Sequence, residues 1–236
     1  MQTDNTLIEN LIKKLEAASL EEKLIFLAEE FNHSITFSSS LGLEDQAISH
    51  AILSQSLQIP IFFLDTGRHF EETYEVLHLT NARYQTKIQA YHPNYEDIET
   101  LLNQKGPNSF YNSIEDRKEC CHIRKVNPLQ RALAGKKCWV TGIRKEQSEN
   151  RNQMQAVEWD EGNQILKVHP IFDWSEEQLN SYIQKNQIPT NYLHKKGFPS
   201  IGCAPCTRAV KEGESARSGR WWWEQDSQLE CGLHTK

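Results

Sequence analysis

No run of about 20 apolar residues occurs anywhere in the 236-residue chain, so no conventional membrane-spanning helix and no membrane partner is expected. The opening MQTDNTLIEN has no basic stretch leading into an apolar one, so no secretory leader is expected and a reducing, cytoplasmic location follows. Positive charge is short as well. Lys and Arg number 26 against 32 Asp and Glu, a net of −6, which argues against a nucleic-acid partner held by a protein-wide field. Neither GxGxxG nor GxxxxGK[ST] is present, which excludes the two common glycine-rich phosphate fingerprints. Disorder is excluded from the other side. With 38% hydrophobic residues in periodic segments and this length, the chain can bury a full core.

What is present is uneven. Residues 1–116 carry 7 basic and 18 acidic residues, whereas 117–151 carry 10 basic and 3 acidic, a local net of +7. Such a block reads either as a local anion site or as a solvated basic face. Six cysteines in a reducing compartment point to burial, metal binding or catalysis ahead of structural disulfides.

Along the chain, Leu7, Ile8, Leu11, Ile12 and Leu15 recur at helical spacing, and Ser19-Leu20-Glu21-Glu22 opens a second helix with a capping box. Short apolar strands are predicted at Ile35–Phe37, Ile61–Leu64, residues 87–91 and residues 137–141, with helices over 44–54 and 70–84. Residues 154–159 and 164–168 read as a hairpin around Glu161-Gly162-Asn163, and Ser175 caps a helix reaching about Lys185. Alternating strands and helices predict an α/β fold, an open, mostly parallel sheet with helices on both faces. We expect one α/β domain over 1–206, with N-terminal helices in 1–32 and a nucleotide-binding core in 33–206, followed by a tail over 207–236.

Open parallel sheets bind ligands outside the carboxyl ends of their strands. Here those ends carry Ser38-Ser39-Ser40-Leu41-Gly42-Leu43, Leu64-Asp65-Thr66-Gly67 and Thr141-Gly142-Ile143-Arg144, small polar loops that leave backbone N–H groups open to an anion. The cysteines form two tight pairs, Cys120-Cys121 and Cys203-Ala204-Pro205-Cys206, separated by an 82-residue step. Four thiols so arranged suit a tetrahedral zinc site, an iron–sulfur cubane or a buried unligated quartet; adjacent ligands are awkward for one zinc ion. Cys231 stands alone near the C-terminus, with His234 three residues on and Arg217 and Arg220 upstream, a setting in which a thiolate is stabilised and presented to an anion. Cys138 lies mid-strand and is expected in the core. Trp221-Trp222-Trp223 either stacks on a base or anchors the tail, and anchoring is the expectation.

Taken in order, SSSLGLED, LDTGRHFEETY, CCHIRK, TGIRKEQSENR, GCAPCTR, GRWWWE and ECGLH resemble the assimilatory adenylyl-sulfate (APS) reductases of the PAPS reductase family, from about residue 30 onward. The resemblance implies an adenine-nucleotide α-hydrolase-like fold and a 4Fe–4S cluster on Cys120, Cys121, Cys203 and Cys206. It implies that Cys231 attacks the sulfate sulfur of APS, expels AMP and forms an S-sulfonate, from which thioredoxin or glutaredoxin releases sulfite. By position, Lys125 would lie between cluster and substrate. Arg208, Arg217, Arg220 and His234 would sit near sulfate and phosphate, while Ser38, Ser39, Ser40, Gly42, Leu43, Asp65, Thr66, Gly67 and Arg144 would line the nucleotide at the strand ends. Two departures are mild: a leucine precedes Gly42 where many relatives have an aromatic, and His122 stands where glycine is common. A PAPS reductase and an ATP pyrophosphatase acting on RNA are the rival activities, and a zinc-binding adaptor is the non-enzymatic one. The sequence leaves self-association open.

Overall fold

The computed structural model describes residues 5–147 and 154–224. Helix α1 (Asn5–Glu16) seats Leu11 and Leu15 in the core, and α2 (Leu20–Phe31) begins at a full capping box. Ser19 Oγ accepts from Glu22 N at 3.3 Å while Glu22 Oε2 accepts from Ser19 N at 2.8 Å, satisfying two donors that a helix start otherwise leaves open.

The sheet comprises β1 (Ile35–Ser39), β2 (Ile61–Leu64), β3 (Gln89–Tyr91), β4 (Cys138–Val140), β5 (Val157–Asp160) and β6 (Ile165–Val168), in the order β3-β2-β1-β4-β6-β5. Every pairing is parallel except that of β5 with β6. The hairpin is therefore present, and its second strand also pairs with β4. Strands 3 and 4 are shorter than the apolar runs suggested, because pairing covers only residues 89–91 and 138–140.

One sheet face is apolar apart from Ser39 at the end of β1. Ile35, Phe37, Phe63, Cys138, Val140, Leu166 and Val168 pack there under α2, α3 (Leu43–Ser54) and α4 (Glu71–Tyr84). The opposite face holds Phe62, Trp139 and Ile165 beneath Leu129, Ala132 and Leu133 of α7 (Asn127–Leu133). Helices thus cover both faces, as expected. The chain winds from β1 outward to β3, then returns to β4 on the other side of β1. The switch point of this doubly wound sheet lies between β1 and β4, where such sheets open a crevice for a ligand.

Helix α5 (Tyr95–Lys105) starts at Asn94, and α6 (Ile114–Cys121) starts at Ser113, each capped by its side-chain oxygen. Helix α6 runs through a π-helical turn, His122–Val126, straight into α7. Pro128 has no N–H to offer the carbonyl one turn back, which removes an α-helical bond where the helix widens. The sequence pattern assigned no element to these three helices. Helix α8 (Glu176–Lys185) is capped by Ser175 and packs Leu179 and Ile183 against Ala47 outside α3. Beyond residue 206 there is no helix or strand among the described residues. That segment is tied down by the bridge between Thr207 and Arg220 and by the burial of Trp221. No helix among the described residues is long and apolar enough to cross a membrane.

Candidate active site

The loop after β1 is shaped by a carboxylate. Asp45 Oδ2 accepts from Ser40 N at 2.6 Å and from Ser40 Oγ at 2.5 Å, pulling the loop against the first turn of α3. Leu41 consequently adopts φ 62°, and Gly42 precedes α3 in extended backbone with no side-chain cap, so the helix start is free of a competing oxygen. Gly142, in the loop after β4, packs so close that a Cβ there would lie 2.1 Å from Asp45 Oδ1. Ser40 is thus a loop-shaping residue whose N–H and hydroxyl are spent on Asp45. Ser38 Oγ accepts from Trp139 Nε1 at 2.8 Å. Arg144 is buried and engaged by Glu44 at 3.0 Å, by the Trp174 carbonyl at 3.1 Å and by Glu146 at 3.5 Å.

The loop after β2 is held in the same way. Asp65 Oδ1 accepts from Gly67 N and from the Tyr74 hydroxyl, each at 2.8 Å, and His92 lies 3.6 Å from Oδ2. Burial, and then the bond to the Asp65 carboxylate, push the Tyr74 phenol up to about 12. Gly67 sits at φ 70°, a backbone conformation that favours glycine. Thr66 is fully buried and joins this strand end to the cysteines: its Oγ1 lies 3.2 Å from Cys203 Sγ, and its carbonyl accepts from Arg124 Nη1 at 2.7 Å.

Cys120 and Cys121, at the end of α6, meet Cys203 and Cys206 in one cavity, with Arg68, Arg117, Arg124 and Lys125 in its wall. Cys120, Cys203 and Cys206 are buried with Leu101, Phe110 and Trp221. Burial raises the Cys120 thiol, and burial together with the neighbouring Cys203 and Cys121 sulfurs pushes Cys206 up to about 12. Among the described residues no three histidine, cysteine or carboxylate side chains are grouped to hold a single metal ion. The donor set is nonetheless soft sulfur throughout. Four buried N–H donors around the site, Arg68 Nη1, Arg124 Nε, Arg220 Nε and Trp221 Nε1, have no partner among the described residues, which suits an acceptor-rich anionic group.

Beside this cavity, an open cleft of about 520 Å³ runs from Thr66 and Gly67 to Tyr95 on α5, sharing Arg68 and Arg124 with the cysteine site. Of the residues expected at the substrate, Thr66, Gly67 and Lys125 line one or other of these spaces. Arg220 is buried against Trp221, its guanidinium 4.9 Å from the ring centroid. Arg208 pairs with Glu214 at 2.7 Å on the surface, and Arg217 lies in the turn that accepts from Arg220 N at 2.9 Å. Trp221 is buried, as anchoring requires, and Trp223 packs on Tyr111, while Trp222 stays 41% exposed. Cys231 and His234 lie outside the described residues. Sequence reasoning missed Arg124, Arg68, Asp45, Tyr74 and Trp139. Arg124 had a signal, because it follows Cys120 by four residues and so shares its helix face.

A model described as the phosphoadenosine phosphosulfate reductase domain matches residues 34–209. The adenosine 5'-phosphosulfate reductase of Neisseria meningitidis serogroup B (strain MC58) is 48% identical over 199 residues, 84% of this chain and 81% of that protein. Its counterpart from Burkholderia cepacia is 46% identical over 220 residues, covering 92% and 88%. The crystal structure of the phosphoadenylyl-sulfate (PAPS) reductase from Candida auris, a phosphate complex, superposes with a TM-score of 0.74 at 28% identity, over 89% of this chain and 99% of that one. By the range of that match and by these identities, the chain belongs to the phosphoadenosine phosphosulfate reductase family.

Proposed function

We propose that this chain reduces adenosine 5'-phosphosulfate to sulfite and AMP in assimilatory sulfate reduction, the route that supplies sulfide for cysteine. The observation that carries this reading is the meeting of two cysteine pairs, 82 residues apart in sequence, in one cavity walled by arginine and lysine beside the strand-end loops. Relatives named for this activity, at 46–48% identity over most of their length, support it.

In this reading Cys120, Cys121, Cys203 and Cys206 would hold a 4Fe–4S cluster, whose iron ions would offset the thiolate charges and whose bonds would tie the two cysteine loops together. The electrons come from elsewhere. The Cys231 thiolate attacks the sulfate sulfur, the bond from sulfur to the bridging phosphate oxygen breaks, and AMP leaves with that electron pair. A thiolate of thioredoxin, or of a similar dithiol, then attacks Cys231 Sγ and sulfite departs. The second thiol resolves the mixed disulfide, returning Cys231 as a thiolate and leaving the partner oxidised. Lys125, Arg68 and Arg124 hold the phosphosulfate and offset the charge that develops on the leaving phosphate.

Anaerobic purification, iron and sulfide assays, and rates with APS and PAPS in the presence of thioredoxin test the assignment. We expect iron, sulfide and preference for APS. The likeness to a PAPS reductase favours PAPS as the second substrate, and iron-free protein that reduces PAPS faster would overturn the first. Cys231→Ser is expected to keep the visible absorbance of the cluster and to accumulate no S-sulfonate. An adduct on that variant, seen by mass spectrometry, would exclude Cys231 as the nucleophile.

A further inference from the structure

A hydrogen bond crosses the switch point of the sheet. Trp139, on β4, donates its indole N–H to Ser38 Oγ, near the end of β1, at 2.8 Å. Indole nitrogen is a donor only, so the Ser38 oxygen is the acceptor in this bond and its own proton must point to another acceptor. The indole cannot readily turn away. It is 1% exposed and wedged among Phe62, Leu129, Ala132, Leu133 and Ile165. Its ring carries a cation: Lys167 Nζ lies 4.9 Å from the ring centroid.

Lys167 is itself 2% exposed and is held by Asp160 at 3.4 Å and Glu158 at 3.8 Å. Strand register sets Lys167 opposite both Glu158 and Trp139, and Trp139 opposite Thr36, two residues before Ser38. A row of polar contacts thus runs from Glu158 through Lys167 and Trp139 to Ser38 on the α7 face. The other face at the same level is entirely apolar. A buried lysine between two carboxylates is costly to build into a sheet face, and packing alone gives no reason for it. Its geometric consequence is a fixed indole, and through it a fixed hydroxyl at the crevice where a ligand enters.

We propose that Trp139 is a positioning residue for the nucleotide. By occupying the acceptor side of Ser38 Oγ, it aims the Ser38 proton at an acceptor atom of the bound nucleotide. Lys167 and its two carboxylates hold the ring in place. This inference rests on the reading that the strand-end loops bind the nucleotide of APS.

The test is a double-mutant cycle in the full-length holoenzyme, with AMP as the binding probe and APS turnover alongside. Trp139→Phe keeps an aromatic face for Lys167 and removes the N–H, together with part of the ring volume. It is expected to weaken AMP and raise the KM for APS by about threefold to tenfold, the worth of one aligned hydrogen bond, with kcat within about twofold. Ser38→Ala is expected to do at least as much. The double variant should match Ser38→Ala alone, because Trp139 acts through that hydroxyl. Independent, additive losses would overturn the proposal, as would a lowered melting temperature with unchanged AMP affinity. If phenylalanine leaves the pocket too empty to fold, β-(3-benzothienyl)alanine at position 139 keeps the indole shape without the N–H and gives the same readout. A wild-type protein that does not bind AMP would sink both the functional reading and this inference. Normal AMP binding with an additive cycle would sink this inference alone.

Discussion

Removing the Glu224 carboxylate leaves the Arg117 guanidinium charged inside the protein. The pair is bidentate: Arg117 Nε donates to Glu224 Oε1 and Nη2 to Oε2, both at 2.8 Å, and each side chain is only 4% exposed. The same guanidinium lies 4.7 Å from the centroid of Trp221, which Arg220 also approaches at 4.9 Å. Breaking a buried pair from one side costs about 3–5 kcal/mol, since the remaining charge loses its bidentate carboxylate inside the protein. For a chain of this size each kcal/mol lowers the melting temperature by about 2–4 °C, so Glu224→Ala should melt on the order of 6 to 20 °C lower. Thermal and urea unfolding followed by circular dichroism measure it. Arg117→Met with Glu224→Ala should recover much of the loss, because an apolar replacement of the whole pair strands no charge. A cost below about 1 kcal/mol for Glu224→Ala, the behaviour of an exposed pair, would refute the reasoning. So would a double variant less stable than the single one. Arg117 stands three residues before Cys120, and Glu224 seven before Cys231. On the proposed reading of Cys231 as the nucleophile, the destabilised variant should also form its S-sulfonate more slowly.

Gly142→Ala places a methyl 2.1 Å from Asp45 Oδ1 and 3.1 Å from Glu44 Cβ, which forces the carboxylate off Ser40. The expected result is an order-of-magnitude rise in the KM for APS with kcat and the content of the proposed cluster little changed; an unaltered KM would show that Asp45 does not shape the substrate loop. For Tyr74, the folded protein holds the phenolic proton more tightly than the unfolded chain, about 12 against 10.0. Its contribution to stability is complete below pH 10 and is lost as pH rises toward 12. Difference titration at 295 nm against Tyr74→Phe should place this phenolate above pH 11, and ionisation near pH 10 would contradict the bond to Asp65.

Much of the sheet was legible because its strands are short and carry apolar residues, and β2, Ile61-Phe62-Phe63-Leu64, is apolar on both sides. The capping boxes at Ser19 and Ser175 mark their helices without help from packing. Helix α6 was not legible for a physical reason. The inward face of α6 carries Arg117 and Cys120, which line the cysteine cavity, so the usual stripe of leucine and isoleucine is missing. Strand order was hidden as well, since nothing in the hairpin residues says that β6 continues onto β4.

The same distinction divides the site. Residues that face a ligand announce themselves by type, as small hydroxyls at strand ends or paired thiols. Residues that hold them in place look like ordinary core or surface until the fold brings them together. Asp45 resembles a helix-start carboxylate, yet its oxygen fixes Ser40. Tyr74 resembles one more residue of α4, yet it supports Asp65 across nine positions. Trp139 resembles a strand aromatic, yet its N–H crosses to Ser38 over a separation of 101 residues. Each is set by a contact that no local pattern contains. Substitutions at these supporting positions should accordingly shift substrate affinity while leaving the proposed cluster and the proposed Cys231 chemistry intact, whereas substitutions at the thiols should abolish one or the other.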